Sequence, residues 1–252
     1  MRYLAVTCVM LASLSGATAV PLSGARVQGV QVDANKNTAT IHLVNSSSKD
    51  ISAYVVSVNV KYVSGRANYS ELLVDFLPLM MTKLEQSQAS SMSEGAFHAG
   101  EARDEIANLA ADPSDPATKA DAEVIAVVYS DRTAEAQSAE ALERVLALRR
   151  GIALARQEAT EIINRAVGNL GEAHPSAVAA EGVRQLALRS KTEHTGELQT
   201  EFLVILDDLQ RAPSDSLQSG VNERDYLTRY VTKATQRAST ALAHSQMIRR
   251  EP

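Results

Sequence analysis

The chain has 252 residues, a formal charge of −5 at pH 7, one cysteine, no tryptophan, three phenylalanines and seven tyrosines. So mild an acidic balance offers no phosphate-seeking field, and so few rings leave no stacking platform for carbohydrate or single-stranded nucleic acid. Nucleic acid is therefore excluded as an expected partner, and the length suits one large or two small domains.

The chain opens MRYLAVTCVMLASLSGATA. Arg2 is a short positive region, residues 4–14 form an apolar stretch of signal-peptide length, and Ala17-Thr18-Ala19 meets the small-residue cleavage rule. The expectation is a signal peptide at 1–19, a mature chain from Val20 with a charge of about −6, and a periplasmic or extracellular location. Cys8 lies inside the removed segment, so the mature chain has no disulfide and no thiol chemistry. No later run is apolar enough to cross a bilayer, so no integral membrane segment is expected.

Residues 25–33 alternate apolar and polar as a first strand, and 34–37 are turn residues. Residues 38–45 read as a second strand. The third, 51–63, carries Tyr54, Val56, Val58, Val60 and Tyr62 on one face and Ser57, Asn59 and Lys61 on the other, a half-buried pattern with one wet side. Residues 68–77 continue in step, and Pro78 is expected to stop that strand. Residues 79–95 are Met- and Ser-rich and read as a loop with one helical turn, while 100–110 read as a further strand.

The stretch 122–150 organises the rest. Residues 123–129 are a buried strand; from Ser138 the chain starts a helix, with a capping side chain and then apolar residues at helical spacing. Everything before this junction reads as β and everything after it as helix. Three long helices are expected: about 138–167, ended by Gly168, Gly171 and Pro175; 176–211, ended by Pro213; and 222–250. Their narrow, Ala-rich stripes suit close packing as a bundle.

The resulting expectation is an α+β protein, an N-terminal antiparallel β-sandwich at 20–137 followed by a bundle of about three long helices at 138–252. Residues 41–58, IHLVNSSSKDISAYVVSV, resemble the second and third strands of exported bacterial proteins of unknown function. Residues 127–136, VVYSDRTAEA, resemble their later strand, where an apolar pair and Tyr or Phe precede Asp-Gly-Thr and a second Gly. The resemblance implies an immunoglobulin-like or fibronectin-like sandwich with a helical tail, and implies no activity or site residues. Arg132 and Ala136 stand at the two glycine positions, and Arg132 disfavours the positive-φ turn that Asp-Gly would suit.

Chemistry is mostly eliminated. Ser46 to Lys49 match S-x-x-K, but in a turn between strands and without the K-T-G partner, so the match reads as a hairpin turn. The five histidines are scattered, without H-E-x-x-H spacing or any cysteine to help, so no metal is expected. There is no nucleophile elbow and no phosphate loop, so no catalytic residue and no cofactor are expected. Adjacent carboxylates (Asp104-Glu105, Asp207-Asp208) point apart and read as surface. Arg149 and Arg156 stand out, because they fall on the apolar stripe of the first long helix. They are candidate interdomain or interface positions, free to pair with acids on the sandwich or on a neighbouring helix. The function expected is binding of a protein or envelope component, non-enzymatically, through sandwich edges, loops or helices. The competing expectation is a hydrolase with a cleft between sandwich and helices.

Overall fold

The computed structural model describes residues 22–86, 95–109, 114–193, 196–246 and 249–250. The expected signal peptide, its cleavage site and His194 lie outside the described residues. The fold is α+β: seven strands in two antiparallel sheets, then helices. The chain divides into two compact units, Met1–Val145 with Ile248–Pro252, and Leu146–Met247.

In the first unit, β1 (Ala25–Asp33), β2 (Thr38–Asn45) and β5 (Ala102–Asn108) form one sheet in the order β1-β2-β5. The other sheet runs β4-β3-β6-β7, from β4 (Ala67–Asp75), β3 (Ile51–Tyr62), β6 (Ala117–Tyr129) and β7 (Thr133–Ala136). One apolar cluster draws on both sheets: Ala39, Ile41 and Leu43 from the first, Tyr54, Val56, Val58 and Val127 from the second. Tyr54 stands edge-on to Phe76 and Phe97, with ring centroids 5.7 and 5.9 Å away, a favoured geometry for aromatic pairs.

The half-buried reading of β3 is corrected. Its first eight residues, Ala53, Val55 and Ser57 included, are all buried, and only Asn59 and Lys61 are wet. Alternation marks a wet face only where nothing covers it. The same unit contains the first turns of α2 (Ala139–Gly168), with Ala141, Leu142 and Val145 buried and Arg144 ion-paired to Glu71 of β4.

Two further corrections concern turns. The expected loop after Pro78 is a ten-residue helix, α1 (Leu77–Gln86). Asp75 Oδ1 accepts from Leu77 N at 2.9 Å, and Pro78 falls in the first turn, where its missing N–H is no loss. The hairpin disfavoured by Arg132 forms regardless: β6 and β7 pair antiparallel with Arg132 at φ 69°. Asp131 Oδ1 fixes that turn by accepting from Thr133 N (2.9 Å) and Thr133 Oγ1 (2.6 Å). Tertiary pairing overrides a backbone preference of about 1–3 kcal/mol.

The helix count also differs. The second expected helix is two, α3 (Pro175–Glu193) and α4 (Gly196–Gln218), so four helices follow the sheets. Pro213 does not end α4, which continues over it. The helix keeps Leu209, Ala212 and Ser216 on a buried face, and Ser216 Oγ donates to Pro213 O at 2.9 Å. The last helix, α5 (Glu223–Gln246), stops short of Arg249–Arg250, a two-residue strand, β8, that pairs parallel with β7. Leu170 lies beyond α2 and is exposed. The cluster of the second unit is rich in alanine (Ala155, Ala159, Ala166, Ala179, Ala180, Ala212) around Ile163, Phe202 and Leu227. Gly182 of α3 permits that closeness, since a Cβ there would lie 2.6 Å from Ile162 Cγ2 of α2.

Candidate functional site

Two strand edges of the first unit carry free ladder positions. Among the described residues β1 pairs only with β2. β6 pairs with β3 along its length, but with β7 only at Ala126, Val127 and Val128. Among the described residues, the remaining edge of β6 has no second strand. Between these edges runs an open groove of about 500 Å³, lined by Val27, Gln28, Gly29, Val30 and Val32 of β1 and by residues 118–122 of β6.

The lining is apolar below and polar at the rim. Val27, Val30, Val32 and Ala122 pack on the apolar cluster, while Thr118, Lys119 and Asp121 are exposed. Lys119 Nζ and Asp121 Oδ1 are 2.8 Å apart and neutralise one another. The groove is thus uncharged, small-residue-lined and flanked by backbone donors and acceptors. Such a site reads main chain and small apolar side chains rather than charge.

The start of β1 is tied down. Glu135 of β7 accepts from Ser23 N (2.8 Å), Ser23 Oγ (2.8 Å), Gly24 N (3.1 Å) and Tyr129 Oη (2.5 Å). Burial pulls the Glu135 carboxyl upward, but these hydrogen bonds outweigh it and hold it below the ordinary range. Gly24 is needed here, since a Cβ would fall 2.0 Å from Tyr129 Oη. On the other side, Gly24 O accepts from Ser46 N (3.0 Å) and Ser47 N (3.2 Å).

Arg149 and Arg156, the two polar positions singled out by sequence, both lie in the second unit. Arg149 is fully buried, with Nη1 3.5 Å from the His244 carbonyl of α5. Arg156 is buried against Glu201 of α4, Nη2 to Oε1 2.5 Å. That contact is an ion pair without regular hydrogen-bond geometry at Oε1, and Arg156 Nε and Thr160 Oγ1 likewise lack a hydrogen-bond partner. Burial raises the Glu201 carboxyl pKa, more than Arg156 and Arg237 lower it. Tyr230 of α5 adds a hydroxyl that donates to Asp208 at 3.2 Å. The arrangement is a buried charge cluster between helices, with no nucleophile aimed at a general base.

The other candidates have structural partners. Ser47 Oγ bonds Asn45 Oδ1 (2.7 Å) and Lys49 O (2.9 Å), while Lys49 Nζ turns to Thr133 Oγ1 (3.0 Å) and Asp131 (3.3 Å). Ser46, the serine of the S-x-x-K match, donates its Oγ to Ser23 O (2.9 Å), so Ser46 and Lys49 are turned to different partners. His42 pairs with Asp104 at 2.6 Å and His98 with Asp50 at 3.2 Å. Among the described residues no three His, Cys, Asp or Glu gather as a metal site. None of their helices is long and apolar enough to cross a membrane.

No protein-family model matches the chain, and no curated protein matches it. A solved structure of a hypothetical protein from Peptoclostridium difficile 630 is similar over 47% of this chain and 86% of that one, at 12% identity and a TM-score of 0.26. At that score the likeness carries neither fold nor function.

Sequence reading missed the groove, Glu135 and Glu201. β1 was legible as a strand and β6 only from Glu123, whereas β6 begins at Ala117, so residues 118–122 of the groove and their adjacency to β1 were not legible. Glu201 had one signal, a carboxylate one residue before the apolar Phe202 in the stripe of α4.

Proposed function

We propose that this is an exported, non-enzymatic binding protein that takes an extended segment of another protein or envelope component along the β1/β6 groove. In this reading the two sheets face one another as a β-sandwich and the later helices pack as a bundle. The apolar cluster shared by both sheets and the Ala-rich cluster of the helices support that arrangement. The observation that carries the function is the groove itself, flanked by unpaired lengths of β1 and β6. An extended segment laid over the rim meets unpaired main-chain groups and the apolar side chains of Val27, Val30 and Val32.

The test is amide hydrogen exchange with and without envelope extract of the native host. Slowed exchange confined to residues 27–32 and 118–122 is expected, lost in Ala122→Trp, which fills the groove from a half-buried position. Equal protection in Ala122→Trp would overturn the groove as the site. The exported location rests on the residues before Val20, and a mass beginning at Val20 is expected for protein recovered from that host. Retention of Met1 would overturn export.

A further inference from the structure

We propose that the free edge of β5 pairs with the same edge of a second copy of this chain, antiparallel about a two-fold axis through Ile106. This surface is separate from the β1/β6 groove and does not depend on it.

β5 pairs with β2 and, among the described residues, no other strand runs beside it. The hydrogen bonds at its two ends fix which main-chain groups are left over. Asn45 N donates to Glu101 O (3.0 Å) and Leu109 N to Asn37 O (2.7 Å), and the register between them is unbroken. Bonded positions recur every second residue in an antiparallel ladder. Residues 103, 105 and 107 therefore bond β2, and the main-chain groups of Ala102, Asp104, Ile106 and Asn108 point away from it. Those four residues are all exposed, Ile106 at 61%.

Charged side chains ordinarily guard such an edge against a second chain. The charges of β5 are instead each held within the molecule. Arg103 Nε donates to Glu101 Oε1 at 2.6 Å, Asp104 meets His42 Nδ1 at 2.6 Å, and Glu105 accepts from Tyr54 Oη at 2.5 Å. Ile106 is left as the large apolar side chain presented at the edge. Opposed residues of two copies share a face only when the two-fold axis passes through a residue, because side chains alternate along a strand. Centred on Asp104 or Glu105, the pair sets like carboxylates directly opposite, which destabilises it. Centred on Ile106, it apposes the two isoleucines, sets Asp104 against Asn108 and Glu105 against Ala107, and opposes no like charges. The main chains of Ile106, Asp104 and Asn108 then exchange hydrogen bonds across the axis. A two-fold isologous contact is also the commonest way for a chain to self-associate. One seven-residue strand pair is small beside the roughly 1,200 Å² of a stable interface, so the association is weak and shows as concentration dependence.

Light scattering and residue-resolved amide exchange on the full chain, from dilute to concentrated solution, test the pairing. Mass rising toward a dimer is expected, with exchange slowing at the alternate amides of Asp104, Ile106 and Asn108, since those of 103, 105 and 107 already face β2. Ile106→Lys should weaken association about tenfold, because like charges then meet at the axis, while Ile106→Val should preserve it. Asn108→Lys sets a cation against Asp104 at both ends and should tighten it. Ile106 and Asn108 are exposed, and thermal melting checks that the variants fold. A chain that stays monomeric throughout, a dimer whose Asp104, Ile106 and Asn108 amides exchange unchanged, a dimer indifferent to Ile106→Lys, or one loosened by Asn108→Lys would each overturn the self-pairing. The groove still stands or falls separately on Ala122→Trp and the extract.

Discussion

The two units bury different kinds of polar group, and each leaves some atoms without a hydrogen-bond partner, Tyr62 Oη, His42 Nε2 and Ser130 Oγ among them in the sheet unit. In the sheet unit, Asn45 and Ser52 are fully buried and fully engaged. Asn45 Nδ2 donates to Lys49 O and Phe97 O at 2.8 Å each, and Ser52 Oγ to Val128 O at 3.1 Å. In the helical unit, Arg149, Arg156, Thr160 and Glu201 are buried, and three of them carry an atom with no hydrogen-bond partner. The difference follows from the backbone. Sheet edges and turns leave carbonyls facing the interior for small polar side chains, whereas a helix uses its N–H and C=O groups internally. A polar residue between helices must then find other side chains, and the long reach of arginine meets that need at the cost of unmatched atoms.

The sharpest way to break this contrast is Val58→Asp. Val58 is fully buried in the shared cluster with no cation near it in that cluster, so the substitution should cost about 5 kcal/mol. The near-ultraviolet signal of Tyr54 and Tyr129 should vanish. An unaltered tyrosine transition would mean that Val58 is not interior.

The helical counterpart is Glu201→Ala, which strands Arg156 in the interior and should cost about 3–4 kcal/mol in the helical transition at 222 nm. Replacing both partners by leucine should recover most of that loss, because a packed apolar pair replaces a buried ion pair at little or no cost. A double variant no better than the single one would contradict the pairing.

Arg132→Gly is expected to stabilise the sheet unit by about 1 kcal/mol, since glycine adopts φ 69° without a Cβ clash. A lowered midpoint would show that the arginine side chain outweighs the backbone strain.

The smallest effect is a pH dependence. The folded-state pKa of Glu135 is lowered, so its stabilisation is present above the ordinary carboxylate range and fades as pH falls through the lowered value. Glu135→Gln should therefore flatten the acid limb of the stability curve without altering the neutral side by the same route. An acid limb of identical slope in both proteins would remove Glu135 as its source.

Local pattern carried far in the sheet unit and less far among the helices. β1 and β2 were readable to the residue, because alternation ends where turn residues begin, at 34–37 and 46–50. Ser138 announced α2 by its capping side chain, which accepts from Ala141 N at 3.1 Å. The α3/α4 break and the passage of α4 through Pro213 were not readable, since a glycine or proline states a local cost without saying what packing offsets it. Arg149 and Arg156 were visible as charges on an apolar stripe, but their partners, the His244 carbonyl of α5 and Glu201 of α4, were set only by the packing of the helices.

By itself the sequence determined most of the strands, the long helical stretches after Ser138, and which two arginines lie on an apolar face. Those are properties of neighbours along the chain, set by side-chain period, caps and turn residues. Only the tertiary structure decided that β3 is buried on both faces over its first eight residues, that Arg132 accepts a left-handed turn, and that β1 and β6 leave a groove between them. Each of these depends on contacts between residues far apart in sequence, whose energies of a few kcal/mol outweigh local preferences of about one.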